Sequence, residues 1–305
     1  MAKVLIATDK PFAAVAVKGI KEIFDKAGYQ TVVLEKYGTQ QALAEAVADV
    51  DAMIVRSDIV DADILNAAKQ LKIVVRAGAG YDNLDLAKCT ENGVVAMNTP
   101  GQNSNAVAEL AFGMMVMHAR GFYSGKAGTE LKGKKIGIHA YGNVGQNVGR
   151  IAKGFGMEVY AYDPFMTNEQ IQAAGATPVA TVEELYSLCQ YVSIHIPATP
   201  ATKKSIGYDL VGKMPKGAVV VNTARKEVID EESLVALMQE RQDISYLTDV
   251  APDTDQFTQF EGRYFATPKK MGAQTAEANI NAGLAAANQI VDFIENGNCK
   301  FQVNK

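Results

Sequence analysis

Short β-rich runs alternate with stretches whose apolar residues recur at helical spacing along most of the chain. Lys3 to Asp9 reads as a strand. Residues 15–27 place Val15, Val17, Ile20, Ile23, Phe24 and Ala27 on a helical period, and Gly28 follows as a stop. Strands are predicted next at 31–37, 52–57, 72–78 and 94–100, with helices at 42–50 and 62–70. A long apolar helix follows at 106–120, where the methionines suit packing better than any cofactor role. Beyond a polar, glycine-bearing stretch at 121–134 a second series begins. It has strands at 134–140, 157–163, 191–197, 218–224 and 243–250 and helices at 143–154, 168–174, 182–188, 207–213 and 230–241. A last helix covers 275–295. Such alternation implies parallel sheets with helices on both faces. The expected fold class is α/β, with two doubly wound, Rossmann-like domains and a cleft between them. One domain is expected at 1–98, completed by 281–305 crossing back, and the other at 99–280.

Length supports this division, since 305 residues make about two domains of roughly 150 each. The net charge of −4 argues against a nucleic-acid surface, which needs a basic excess. No apolar run approaches the roughly 18 residues that span a bilayer, and the first ten residues lack a signal-peptide pattern. Cys89, Cys189 and Cys299 have neither disulfide-framework nor metal-ligand spacing, so no metal is expected. They read as reduced thiols of a cytoplasmic protein.

The strongest local signal is residues 134–163. A strand ending at His139 feeds a glycine turn, a helix, and a second strand ending at Asp163, the context a dinucleotide fingerprint requires. Gly142 lets the backbone approach a pyrophosphate, and Gly145 allows close helix–strand packing. The helix start at Asn143 and Val144 offers N–H groups and a positive dipole end to the anion. Asp163, about 20 residues on, can accept the ribose hydroxyls and would repel a 2′-phosphate, which selects NAD over NADP. Ala140 stands where the first glycine of the fingerprint belongs, which suits a turn that keeps φ negative there. The plainer alternative is a generic strand–helix turn.

Residues 219–234 (VVVNTARKEVIDEESL), 247–250 (LTDV) and 266–275 (ATPKKMGAQT), with 76–85 and 98–110 earlier, resemble stretches of the D-2-hydroxyacid dehydrogenases. The likeness runs in order from residue 54 to 280. It implies NAD-dependent oxidation of a 2-hydroxy acid by a catalytic arginine, here Arg225. Asp249 would lie by the nicotinamide, and Thr223, His195 and Gly272 would line the cofactor. A guanidinium suits this chemistry, because its fixed fork of donors both holds a carboxylate and polarises a carbonyl. Alcohol oxidation also needs a base for the hydroxyl proton.

Here the chain departs from the family. The position of the family's histidine, two before Gly272, is Lys270, with Lys269 beside it. Lys270 is therefore the expected acid/base, made usable by burial and nearby positive charge. Lys269 and Lys270 acting only as substrate-phosphate contacts, and His195 acting as proton carrier, remain alternatives. The family's glutamate, five residues after Asp249, is replaced by Thr254, and Asp253 or Asp255 is expected to supply a carboxylate instead.

Within the family, residues 54–65 (IVRSDIVDADIL) are similar to a stretch of the phosphoglycerate dehydrogenases. The resemblance implies that Arg56, Ser57 and Arg76 bind a substrate phosphate, with Lys269 assisting. Gly78 and Ala79 would turn backbone N–H groups to the substrate carboxylate, and Asn103 would line the substrate side. Arg56 could instead pair with Asp58 or Asp61. The implied reaction is oxidation of 3-phospho-D-glycerate to 3-phosphohydroxypyruvate, the entry to serine synthesis, with a hydroxypyruvate, glyoxylate or D-lactate reductase, or a non-catalytic NAD(H) sensor, as rivals. The resemblance also implies a homodimer formed through the helix at 106–120. No regulatory extension is expected after 301–305.

Overall fold

The computed structural model describes residues 1–305, and the chain divides into two compact units, 1–103 with 275–305, and 104–274. In the first, β1 (Lys3–Thr8), α1 (Ala14–Lys26), β2 (Gln30–Glu35), α2 (Gln40–Val47), β3 (Ala52–Val55), α3 (Ala62–Ala67), β4 (Ile73–Arg76), α4 (Leu86–Glu91) and β5 (Val95–Asn98) follow one another. The sheet order is β2-β1-β3-β4-β5, all parallel. Leu5, Ala7, Met53 and Val55 join one core with Leu43, Ile64 and Leu65, while Val4, Ile6, Ala52 and Ile54 join the other with Ala16, Ile20 and Phe24. A strand covered on both faces has no polar side to show, which is why these strands read as continuous apolar runs.

The last helix, Ala276–Asn296, completes the second core through Ala282, Ala286, Ala287 and Ile290. Close approach is achieved with glycine: a Cβ on Gly19 would lie 2.7 Å from Leu284 Cδ2. Thr275 caps the helix by accepting from the Ala278 amide, and Gly297 ends it in the left-handed region at φ 68°. The helix therefore starts at 276 and lies whole within the first unit, rather than joining it from 281. Side-chain caps also reset other ends. Thr39 starts α2 two residues before the expected 42, and α3 stops at Ala67 because Ala68 leaves helical geometry (ψ 71°). The short α4, capped by Asp85, carried too little periodicity to be predicted.

The second unit comprises α5 (Ser104–Ala119), β6 (Lys135–His139), α6 (Asn143–Gly154), β7 (Glu158–Tyr162), α7 (Asn168–Ala173), β8 (Thr177–Pro178), α8 (Val182–Leu188), β9 (Tyr191–Ile194), α9 (Tyr208–Val211), β10 (Val219–Asn222), α10 (Glu231–Glu240), β11 (Ser245–Thr248) and β12 (Tyr264–Ala266). Its strand order is β12-β11-β10-β9-β6-β7-β8, all parallel. The order reverses between β6 and β9, and open α/β sheets bind ligands beyond the carboxyl ends of their strands at such a switch point. Strands β8 and β12, of two and three residues at the edges, were not expected. No helix is long and apolar enough to cross a membrane.

Candidate active site

Strand β6 ends in the glycine turn. Ala140 adopts φ +76°, not the negative φ expected from its being alanine. The turn is held from three sides: the Ala140 amide donates to Tyr162 O at 2.9 Å. The Tyr141 amide donates to Asp163 Oδ2 at 2.8 Å, and Gln146 Nε2 to Tyr141 O at 3.0 Å. These contacts offset the roughly 1–2 kcal/mol that a left-handed L-residue costs. Asp163 Oδ1 accepts from the Phe165 amide at 2.9 Å. A Cβ on Gly145 would lie 2.3 Å from Ala140 O, whereas one on Gly142 would meet nothing within 4 Å. So Gly145 serves helix–strand packing, and space is open at Gly142. Helix α6 begins there with no side-chain cap, leaving its first turn at Asn143 and Val144 available to an anion.

Across the switch point, the His195 amide donates to His139 O at 2.9 Å, and His195 Nε2 lies 2.9 Å from Ser193 Oγ. Loss of solvation, then the nearby His139, pulls the His195 pKa down to about 3, and burial pulls that of His139 to about 4. Both rings are neutral near pH 7. Part of His195 remains exposed, and a neutral imidazole with so low a pKa is poorly suited to carry a proton near pH 7.

The end of β10 is organised by Asn222, which the sequence reading did not single out. Its amide accepts from the Ala224 N–H at 3.0 Å and donates to Arg225 O at 3.0 Å and Tyr246 Oη at 3.3 Å. The Ala224 carbonyl thus fixed receives two cations: Arg225 Nη1 at 3.0 Å and Lys270 Nζ at 2.7 Å. Lys270 is exposed as a residue, but its amine is docked on that carbonyl and partly desolvated. That desolvation, then Arg225, lowers the amine pKa below the usual lysine value, while Asp249 and Glu227 oppose the shift.

Asp249 follows β11 and is fully buried. Its Oδ2 accepts from the Gly272 amide at 2.6 Å and the Met271 amide at 3.3 Å, and Oδ1 has no partner. Loss of solvation raises its pKa against these amides and the two cations. A Cβ on Gly272 would stand 2.8 Å from Asp249 Oδ2, so a larger residue there must push the loop and the carboxylate apart. Thr223 Oγ1 is likewise buried and without partner.

The expected Asp253 and Asp255 are not brought to Lys270. Asp253 is ion-paired with Lys226, and both aspartates line a groove of about 1050 Å³ with Lys203, Lys204 and Lys226. The carboxylates that act on Lys270 are Asp249 and Glu227. Glu227 was overlooked because a side chain two residues from Arg225 carries no periodic signal. Lys269 is exposed, and its carbonyl accepts from Thr267 Oγ1 at 2.7 Å.

In the first unit, the substrate candidates cluster at the carboxyl ends of β3, β4 and β5. The Arg56 guanidinium donates to Lys10 O, Pro11 O and Asn279 Oδ1 at 2.7–3.0 Å, and the fold consumes much of its capacity. Arg56 does not pair with Asp58 through its side chain; Asp58 accepts from its amide at 3.2 Å. Arg76 uses only Nε, donating to Arg56 O at 2.9 Å. Its outer nitrogens lie against Gly78, where a Cβ would be 1.5 Å from Nη1. Burial, then the Arg56 charge, lowers the Arg76 pKa below that of an ordinary arginine, a cost that a bound anion would relieve. The Gly78 amide is taken by Arg76 O at 2.9 Å, so of the expected pair only Ala79 keeps a free N–H. Ser57 is exposed and Asn103 partly buried, both without hydrogen-bond partners.

Residues 105–260 match the model of the D-isomer specific 2-hydroxyacid dehydrogenase NAD-binding domain. The chain belongs to that family. It is 36% identical over 280 residues to a hydroxypyruvate reductase of Thermotoga maritima, covering 85% of this chain and 89% of the relative. It is 35% identical over 269 residues to a D-3-phosphoglycerate dehydrogenase of Methanocaldococcus jannaschii, covering 83% of this chain but 51% of the relative. The chain thus spans about half the length of several phosphoglycerate dehydrogenases it matches. Among solved structures, the NAD+-bound 3-phosphoglycerate dehydrogenase of Entamoeba histolytica is 51% identical with a TM-score of 0.86, covering 100% and 99% of the two chains. The second unit is the family's NAD-binding domain, and the orphaned polar atoms of Thr223 and Asp249 lie in it.

Proposed function

We propose that this dehydrogenase oxidises 3-phospho-D-glycerate to 3-phosphohydroxypyruvate with NAD. One observation carries the reading: Arg225 and Lys270 meet on the Ala224 carbonyl, which puts a permanent cation beside an amine that releases its proton more readily than usual. The NAD site suits the residues present. Open space at Gly142 and the uncapped start of α6 fit a pyrophosphate, Asp163 fits an unphosphorylated ribose, and Thr223 and Asp249 each offer a buried atom that lacks a partner.

Bound at this site, NAD would supply the acceptor for the hydride leaving the substrate carbon. Arg225 holds the substrate's carboxylate and reacting oxygen through its fork of donors. Neutral Lys270 takes the hydroxyl proton onto Nζ, and in reduction its ammonium returns it. The cost of burying Arg76 beside Arg56 supports an anionic substrate group, and we assign the phosphate to Arg76 first.

A hydroxypyruvate reductase is the second reading, favoured by the nearly full-length Thermotoga relative and by the engagement of Arg56 within the fold. Comparing kcat/KM for 3-phosphohydroxypyruvate and hydroxypyruvate separates them. Phosphoglycerate oxidation expects a preference for the phosphorylated acid that Arg76→Gln reduces about tenfold or more, a charge-assisted contact being worth about 1.5–3 kcal/mol. Equal or reversed preference in the unaltered protein would favour the reductase.

We further infer a cytoplasmic homodimer, paired through α5. That helix carries Leu110, Val116 and Met117 only partly covered, and Tyr123 just beyond it is exposed. Sedimentation at micromolar concentration reads the state directly.

A further inference from the structure

The loop that presents Lys270 leaves β12 and ends at Gln274, and it has little regular structure of its own. Its amine end is docked on Ala224 O, 46 residues earlier in the chain. Its backbone is gripped at the next two residues, where the Met271 and Gly272 amides both point to Asp249 Oδ2. Asp249 is itself held, since its amide donates to Asn222 O at 3.2 Å and its side chain is fully buried. The glycine at 272 is what lets the carboxylate come so close. One buried anion therefore touches the loop on the residues directly following the proposed acid/base.

We propose that Asp249 is a positioning residue for Lys270, its buried carboxylate carrying the loop that presents the amine. The inference rests on the reading of Lys270 as acid/base and goes beyond any contact of Asp249 with the cofactor. The Lys270 amine bonds the Ala224 carbonyl, and the charged groups that influence it are Arg225 and Glu227 from the segment after β10 and Asp249 from the end of β11. Arg225 and desolvation favour the neutral amine, whereas Asp249 and Glu227 favour the ammonium. Between the two carboxylates, only Asp249 also bonds the loop. Its role is therefore double and separable: an amide at 249 can still accept from Gly272 but supplies no charge.

The test is the pH dependence of kcat for alcohol oxidation in the full chain and in Lys270→Met, Asp249→Asn, Asp249→Ala and Gly272→Ala, with NADH affinity measured alongside by fluorescence. Lys270→Met is expected to lose about 100-fold or more of kcat, the usual contribution of a general base. Asp249→Asn is expected to move the rising limb of the profile to lower pH, because a charge that holds the proton is gone, while kcat on the plateau stays within tenfold. Asp249→Ala is expected to move the limb and also lower the plateau, because the loop is released. Gly272→Ala separates the loop from Asp249 without altering either charge, so it checks the same contact where the aspartate variants fold poorly, and it too should lower the plateau. If Lys270→Met is inactive but Asp249→Asn keeps the wild-type limb and alters only NADH affinity or KM, Asp249 is a cofactor contact and the proposal fails. An unchanged plateau in Gly272→Ala also overturns it. If Lys270→Met turns over near the wild-type rate, the acid/base reading itself falls and this inference with it, an outcome distinct from the others.

Discussion

Lys270 and Arg225 share one acceptor: the ammonium and the guanidinium both donate to the Ala224 carbonyl, at 2.7 and 3.0 Å. Two cations on one backbone oxygen repel each other, and the lysine yields because a guanidinium does not deprotonate. Lys270 is the group that titrates, and its pKa lies below the usual lysine value. Oxidation needs the neutral amine, so its rate should rise with pH through that lowered value and level off above it. Reduction needs the ammonium and should fall over the same range. Arg225→Gln removes the neighbouring cation, so besides losing substrate affinity it should push the oxidation limb to higher pH. A limb that stays in place in Arg225→Gln would disprove the coupling.

Asp163 should govern which dinucleotide is used. Its two oxygens already accept from Tyr141 and Phe165, which fixes the carboxylate at the glycine turn. Asp163→Asn keeps an acceptor and drops the charge. The ratio of kcat/KM for NADP to that for NAD should rise about tenfold or more, since two charges ~4 Å apart near a surface interact by about 4 kcal/mol. Parallel assays with the two cofactors measure the ratio, and no change would assign Asp163 to the turn alone.

Gly145→Ala should damage both stability and cofactor affinity. The added carbon would stand 2.3 Å from Ala140 O, a backbone atom already held in a left-handed turn. Either α6 or the turn must shift, at about 1–3 kcal/mol for an overpacked site. A lower Tm together with weaker NADH binding is expected. Gly142→Ala, with nothing within 4 Å of its new carbon, should spare Tm and weaken only the binding of a pyrophosphate that approaches the backbone there. Equal effects on Tm would contradict the division of labour between the two glycines.

His139 should make the protein acid-sensitive. Burial holds its folded-state pKa at about 4, against a partial opposing pull from Asp163. Below pH 6.5 an unfolded chain takes up a proton that the folded one refuses. The stability associated with the neutral ring is therefore full above pH 6.5 and is lost as pH falls toward 4, by about 3 kcal/mol for a shift of this size. Urea unfolding at pH 7 and pH 4.5 reads the loss, and His139→Phe should lessen it. An equal drop in the variant would place the sensitivity elsewhere.

The chain's pattern determined what is local and periodic. Apolar runs marked strands buried on both faces, and the 3.6-residue period marked the longer helices. The strand–glycine–helix–strand order with Asp163 at its end marked the turn proposed to hold the dinucleotide, within the family's NAD-binding domain. Arg225, Lys270 and Asp249 were legible through resemblance of their segments. What the tertiary structure alone decided depends on residues far apart in sequence. Ala140 turned left-handed because Tyr162, Asp163 and Gln146 hold its neighbourhood from outside. The last helix lies whole within the first unit because its small residues fit Ile20 and Phe12 there. The carboxylates acting on Lys270 are Asp249 and Glu227, whereas Asp253 is paired with Lys226 and lies with Asp255 along a separate groove. A sequence period records which face of an element is buried, but not which two buried faces will meet.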